Sequence, residues 1–414
     1  MTAGSGERIE YNGGGDTLIG LSLNHTVTLL LIAVVVALIA RRLRLPYTVG
    51  LVLAGIGLRL IHAGQGAALT PHLITEAFLP PLLFEAALSL RWRELRRDGL
   101  PIFVLSTAGV AVSALLVSAG MVTFAHWPWA AALLFGVLIA ATDPVSVIAT
   151  FKENKIHGRL RLLVESESLF NDGVAAVFFA LALTLALGQP LSPVSAALEL
   201  ARISLGGIAI GGVCGGIAIV LAGRTEDSLV ETALTAVAAY GSFLLADHFG
   251  VSGVLATVSA GLLLGNVGVL GGEEDSVLTQ RGREVVIAFW DFAAFVANSL
   301  IFLLIGLDAA QRSFVQLGVA ALAQAIGLTL LGRAAAVYPL CLPFARSRLA
   351  VSRPHQHLLF WGGMRGALAL ALALSLPGTI VYRTQIVLAA FGVVAFSVVV
   401  QGITMPLLLK RLKI

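Results

Sequence analysis

Residues 160–188 read LRLLVESESLFNDGVAAVFFALALTLALG. As a helix the stretch is long enough to cross roughly 30 Å of hydrocarbon, since each residue advances about 1.5 Å. Yet its first half sets Glu165, Glu167, Asn171 and Asp172 among Leu, Val, Phe and Ala. A charge at the bilayer centre costs at least about 2.5 to 3.5 kcal/mol even on the most lenient scale, so charges that persist there are paired, hydrated or used. At 3.6 residues per turn Glu165, Ser168 and Asp172 share one face, while Glu167 and Asn171 lie one turn apart on the adjacent face. Two faces allow two tasks: Asp172 and Ser168 toward a cavity, Glu167 and Asn171 toward a cation from another helix.

The rest of the chain sets this helix in a membrane. With 58% hydrophobic and 12% charged residues over 414 positions, too little polar surface exists to cover a soluble globule. Apolar runs predict thirteen spans, near 24–40, 47–63, 72–90, 99–125, 128–150, 160–188, 192–222, 227–246, 249–270, 284–308, 314–344, 356–377 and 384–408. The predicted fold is an all-α polytopic membrane protein. Taking alternate connections, twenty of the 27 Lys and Arg residues fall on one side, within 41–44, 91–97, 152–161, 224, 281–283, 346–353 and 410–413. Arg8, Arg59, Arg312 and Arg383 fall on the other, which puts the N-terminus outside and the C-terminus in the cytoplasm. Positive charge thus reflects topology, and no nucleic-acid site is read in it. The polar first residues lack a basic region followed by a small-residue cleavage site, so no removable signal peptide is expected. Cys214 and Cys341 have no partner spacing and read as small core residues.

An odd span count fits two six-span halves of opposite orientation with one span between them, as in many secondary transporters. In ATDPVSVIA (141–149) of the fifth span, Pro144 removes a backbone donor directly after Asp143 and Thr142. An aspartate in such a broken helix either coordinates a cation beside freed carbonyls or offsets the positive end of a half-helix. The twelfth span, FWGGMRGALALALALSLP (360–377), has a weak place of its own where Gly362, Gly363 and Gly366 surround Arg365. Breaks at corresponding places in two halves are the best sequence pointer to a transporter's binding site, and Arg365 would offset the negative ends of the unwound helices. Arg333, alone in the eleventh span, is the expected partner of Glu167. Glu85, after two prolines in the third span, either lines a cavity mouth or pairs with arginines such as Arg91. Asp291 and Asn298 share a face of the tenth span and read as packing or domain-contact residues. Glu199 and Arg202 read as a local i,i+3 pair. In the seventh span Gly207, Gly211 and Gly215 recur every four residues, as do Gly212 and Gly216, which suits either internal packing or a subunit interface.

Five segments, ATDPVSVIATFKE, ESESLFNDGVAAVFF, GVSGVLATVSAGLLLGN, NSLIFLLIGL and GGMRGALALALALSLP, in this order and spacing resemble the sodium/proton exchanger branch of the monovalent cation:proton antiporters. The likeness runs from about Leu29 to Leu409. It implies a homodimer in the lipid bilayer, with two inverted six-helix repeats whose fifth and twelfth helices are unwound and cross. A core domain (99–190 and 313–414) would slide against a dimerisation domain (24–98 and 191–312), after a polar extracellular N-terminus (1–23). Asp172 would bind Na+ or H+ alternately, with Asp143 as a second Na+ ligand and Thr142, Ser168, Asn171 and Glu85 in or near the site. Glu167 with Arg333, also holding Asn171, would be the family's buried bridge. No cofactor is implied beyond the transported Na+ or Li+ and H+. Asp291 stands where the family leads one to expect a glutamate.

The implied activity is exchange of Na+ or Li+ for H+ across the plasma or inner membrane, supporting pH homeostasis and sodium tolerance. Asn171, which adds no second titrating carboxylate, matches the electroneutral branch. K+/H+ exchange is the alternative on the same fold, and a non-transporting sensor a lesser one. An enzyme is not expected. An intramembrane aspartyl protease would want a Gly-x-Gly-Asp segment, and none is present; neither is an HExxH motif among the eight histidines.

Overall fold

In the computed structural model the described residues are 23–43, 46–61, 69–153, 156, 158–189, 192–271 and 276–412, and no strand occurs among them. Residues 1–22 of the expected N-terminal stretch, with Arg8, Arg44, Lys155 and Lys413 of the basic pattern, lie outside them.

The first three spans are α1 (Leu23–Leu43), α2 (Tyr47–Leu60) and α3 (Leu79–Ser89), the last entered through a π turn at Leu73–Phe78. A short α4 (Trp92–Arg97) leads to α5 (Gly99–Ser106) and α6 (Ala108–Ala125), which together form the fourth. The fifth consists of α7 (Trp129–Leu138) and α8 (Val145–Glu153), separated by non-helical residues. Then come α9 (Arg159–Ala186), α10 (Pro193–Ala222), α11 (Ser228–His248), α12 (Gly253–Leu264) with a π turn at Gly265–Val269, α13 (Gln280–Gln311) and α14 (Val319–Cys341). The twelfth is again two pieces, α15 (Arg353–Trp361) and α16 (Ala367–Leu374). The last is α17 (Arg383–Phe396), a π turn at Ser397–Gln401, and α18 (Gly402–Leu412). All thirteen expected spans coincide with helical stretches, seven of which are unbroken enough to cross a membrane by length and composition.

Hydrocarbon offers no partner to backbone N–H and C=O groups, so each apolar run satisfies its own as a helix. Where a run begins, a short polar side chain supplies the missing acceptor: Ser252 accepts from Leu255 N–H, Thr279 from Gly282 N–H and Asp227 from Leu229 N–H. Between the ends, helices pack by shape. A Cβ on Gly211 would stand 2.0 Å from the Ala256 carbonyl of α12, and Gly207 and Gly215 meet the same helix. That half of the glycine stripe is internal packing; Gly212 and Gly216 face no atom within 4 Å. Cys214 and Cys341 are free.

At the centre stands α13, buried without interruption from Ala297 to Ala309. Trp290 of this helix donates from Nε1 to Thr235 Oγ1 of α11 at 2.9 Å and lies 4.5 Å from the Phe84 ring of α3. Leu31, Leu38, Leu205, Val213 and Val237 are exposed apolar side chains of α1, α10 and α11.

Candidate functional site

The helix of the fifth span stops where proline and chain geometry oblige it to. Ile139 closes α7, residues 140–144 are non-helical, and Pro144 precedes α8 without needing the N–H it lacks. Asp143 Oδ1 accepts the N–H of Val145 at 2.9 Å and so caps α8. On the twelfth span α15 stops at Trp361, and Gly362 to Gly366 run non-helically to α16.

The two breaks tie each other down. The N–H of Asp143 donates to the Met364 carbonyl at 2.7 Å. In return Arg365 Nη1 donates to the carbonyls of Ala140 and Ala141 at 2.7 and 3.1 Å. These are the unpaired acceptors at the end of α7, where a guanidinium offsets both the lone pairs and the negative helix end. Gly366 is required at this crossing, because a Cβ there would lie 2.1 Å from Asp143 Oδ2.

Helix α9 brings the opening stretch to the same place. Asp172 lines the same cavity as Thr142 and Asp143. Thr142 Oγ1 donates to Ser168 Oγ at 3.2 Å, and Ser168 Oγ donates to the Thr142 carbonyl. On the adjacent face Glu167 receives Arg333 Nη1 at 2.7 Å and Nη2 at 2.8 Å, a bidentate bridge between side chains 3% and 6% exposed. Arg333 also donates to the Leu359 carbonyl from Nε and Nη2 at 3.2 and 2.9 Å. Asn171 turns its Nδ2 to Glu167 Oε1 at 3.4 Å. Gly363 makes room for the guanidinium, since a Cβ there would be 2.4 Å from Arg333 Nε.

A cavity of about 640 Å³ leads to Asp172 and Asp143. Thr142, Glu85 and Gly366 also line it, whereas Glu167, Arg333, Arg365 and Asn171 do not, and neither does Ser168, which was expected to face it with Asp172 but is buried against Thr142. Glu85 therefore faces the cavity, the first of its two expected roles. The face shared by Asp291 and Asn298 lines the same cavity, so of the two expected roles pure packing does not hold, while a contact between the two parts is left open: seven-residue spacing fixes a common face on α13 but not what lies across from it. Tyr47, at the start of α2, lines the cavity within electrostatic reach of Asp143 and Glu85 and had no sequence signal beyond a polar aromatic after a proline. Glu199 and Arg202 form the expected local pair at 2.6 Å and do not line this cavity.

A helical membrane bundle whose two broken spans cross around buried carboxylates has the architecture of a secondary transporter. Residues 29–411 match the family described as "Sodium/hydrogen exchanger, transmembrane", and the chain belongs to that family. Among its relatives, the Na(+)/H(+) antiporter ApNhaP of Aphanothece halophytica is 40% identical over 371 residues, covering 89% of this chain and 70% of the relative. The Na(+)/H(+) antiporter NhaH of Halobacillus aidingensis is 33% identical over 397 residues, covering 93% and 96%. The sodium proton antiporter MjNhaP1 from Methanocaldococcus jannaschii shares the fold, with a TM-score of 0.73 at 22% identity and coverage of 94% of this chain and 98% of that one. The chain is accordingly a multi-pass membrane protein of the transporter class.

Proposed function

We propose that the protein exchanges Na+ or Li+ for H+ by alternating access, with Asp172 as the carboxylate that the two ions share. One observation carries this reading. The charges within mutual electrostatic reach at the crossing are Asp143, Glu167, Asp172, Arg333 and Arg365, three carboxylates against two guanidiniums. In low dielectric, a cluster carrying one net negative charge is costly, and one proton or one hard monovalent cation neutralises it. Glu167 is held by Arg333 and Asp143 caps a helix, which leaves Asp172 with the freedom to change partner at the cavity.

The same count makes the exchange electroneutral: the occupied cluster carries no net charge whether it holds Na+ or H+. In the sodium-loaded state Asp172 and Asp143 would supply charge, and Thr142 and Ser168 further oxygens, all oxygen donors of the kind hard cations take, with Glu85 on the cavity wall near the site but outside the counted cluster. Asn171 contributes by fixing Glu167 rather than by adding a carboxylate. The relatives' names, all sodium/proton antiporters, favour Na+ over the K+ alternative.

Alternating access would be a movement of the core (99–190 and 313–414) against the dimerisation part (24–98 and 191–312) in a homodimer. The Arg-rich side is assigned as cytoplasmic by the positive-inside rule, with the N-terminus outside and the protein in the cell membrane. The cavity's polar end at Arg161 and Glu165 lies on that side, so the conformation corresponds to the inward-facing state. The test is proton movement in proteoliposomes on addition of Na+, Li+ or K+. Sodium and lithium should drive it without a voltage requirement, and Asp172→Asn, which can neither release a proton nor neutralise a cation, should abolish it while the protein still folds. Transport by Asp172→Asn near the unsubstituted rate would remove Asp172 from its role.

A further inference from the structure

The third carboxylate of the opening stretch, Glu165, is not used by the exchange reading. It lies on α9 seven residues before Asp172, about 10 Å away along the axis. Arg161 Nε donates to Glu165 Oε1 at 2.8 Å across one helical turn. Their side chains are 26% and 15% exposed, and both line the cavity that ends at Asp172. The deeper wall formed by Ala367, Leu368 and Ala369 is buried. The pair therefore stands nearer water than that wall, as do the more exposed Ser89 and Asp291 of the same lining.

The charges along that passage are unequal. Glu85, Asp143, Glu165, Asp172 and Asp291 line the cavity, and among the described residues Arg161 is its single basic side chain. A cleft lined by one sign of charge with low-dielectric walls focuses its field along its own length and raises the local concentration of counter-ions. A cation entering from this side meets Arg161 before it meets Asp172. Glu165, one turn further in, both cancels the guanidinium's charge and holds it against α9, away from the centre of the passage.

We propose that Arg161 and Glu165 form an electrostatic mouth that sets the apparent affinity for hard monovalent cations on the cavity's open side. Glu165 is a positioning residue for Arg161, and Arg161 a brake on cation entry. This rests on the exchange reading of the crossing. The two members act in opposite directions. Without Arg161, Glu165 adds its attraction to that of the deeper carboxylates; without Glu165, an uncompensated guanidinium repels the incoming ion. At roughly 10 to 16 Å through partly hydrated space, one unit charge changes the cation's occupancy by about threefold.

The experiment measures the apparent KM for Na+ separately on the two faces of oriented proteoliposomes, for Arg161→Gln, Glu165→Gln and the double variant. Arg161→Gln should lower KM about threefold on the Arg-rich face and Glu165→Gln should raise it by a similar factor, with the shifts cancelling in the double variant. The opposite face should not respond. Choline chloride at about 0.5 M should shrink both shifts, because the Debye length falls to a few ångströms. A merely structural ion pair would give single variants that shift KM in the same direction; that result, equal shifts on both faces, or insensitivity to salt would overturn the proposal. Sodium binding to the purified protein by calorimetry gives a readout that needs no turnover. Opposite shifts there support the mouth even if exchange itself is not observed, and unshifted binding overturns it.

Discussion

Removing Arg333 should unfold the protein more readily than removing almost any other surface or core contact. Glu167 and Arg333 are 2% and 5% exposed, so neither charge has water to fall back on. The guanidinium gives Glu167 two hydrogen bonds at 2.7 and 2.8 Å and gives the Leu359 carbonyl two more. Arg333→Met would leave the carboxylate with the single long contact from Asn171 at 3.4 Å. Breaking a buried pair by removing one partner costs on the order of 3 to 5 kcal/mol. At about 1.4 kcal/mol per tenfold, that is a hundredfold to several thousandfold in the folded-to-unfolded ratio. Glu167→Gln should fall in the same range, because it strands the guanidinium instead. The double variant Glu167→Gln/Arg333→Met removes both charges and should regain part of the loss, giving a coupling well above the error of a double-mutant cycle. Heating the purified protein and following monodisperse recovery by size-exclusion chromatography, at one fixed heating time, provides the comparison for a protein whose unfolding is irreversible. An Arg333→Met midpoint equal to that of the unsubstituted protein would refute the reasoning, as would a double variant less stable than both singles.

Three further outcomes follow from the same geometry. Gly366→Ala places a methyl 2.1 Å from Asp143 Oδ2, so the carboxylate or the crossing must shift, and sodium-driven proton movement should fall by about an order of magnitude or more while folded protein is retained. Asn171→Asp should keep Na+ binding, measured by calorimetry, since it adds a carboxylate on the Glu167 face without removing Asp172; loss of binding would place Asn171 in the site itself. A reporter fused after Ile414 should be cytoplasmic and one before Met1 outside, and reporters on one common side would break the assigned topology.

Much of this was legible because membrane sequences advertise their exceptions. Pro144 after Asp143, and three glycines around Arg365, interrupt runs that would otherwise be continuous helix, so both breaks could be read from composition. Glu167 and Arg333 stand out as charges without local partners on different spans, and the structure joins them. What stayed hidden is what lies across a gap. Periodicity fixes the face of α13 that holds Asp291 and Asn298, but whether that face meets a helix or a cavity depends on how α8 and α16 are cut short. Tyr47 carries no periodic signal at all. The closeness of Gly363 to Arg333 and of Gly366 to Asp143 is likewise a three-dimensional fact, since the sequence explains the glycines equally well as flexible joints.

The backbone and guanidinium hydrogen bonds that join the two breaks also constrain the thermodynamics of the carrier. Asp143 N–H to Met364 and Arg365 Nη1 to Ala140 and Ala141 hold both half-helix pairs as one unit. If that unit slides as proposed, Asp143, Thr142, Ser168 and Asp172 travel together, and the ion would keep these ligands on either side. A ligand with equal affinity for two states shifts neither, however tightly it binds. On that reading the loaded and protonated carriers would divide between the two orientations in the same ratio, and the pocket would give the protein no preferred direction of its own. Any rectification must be written in the vestibules the ion crosses on its way in, and none of it in the pocket where it rests.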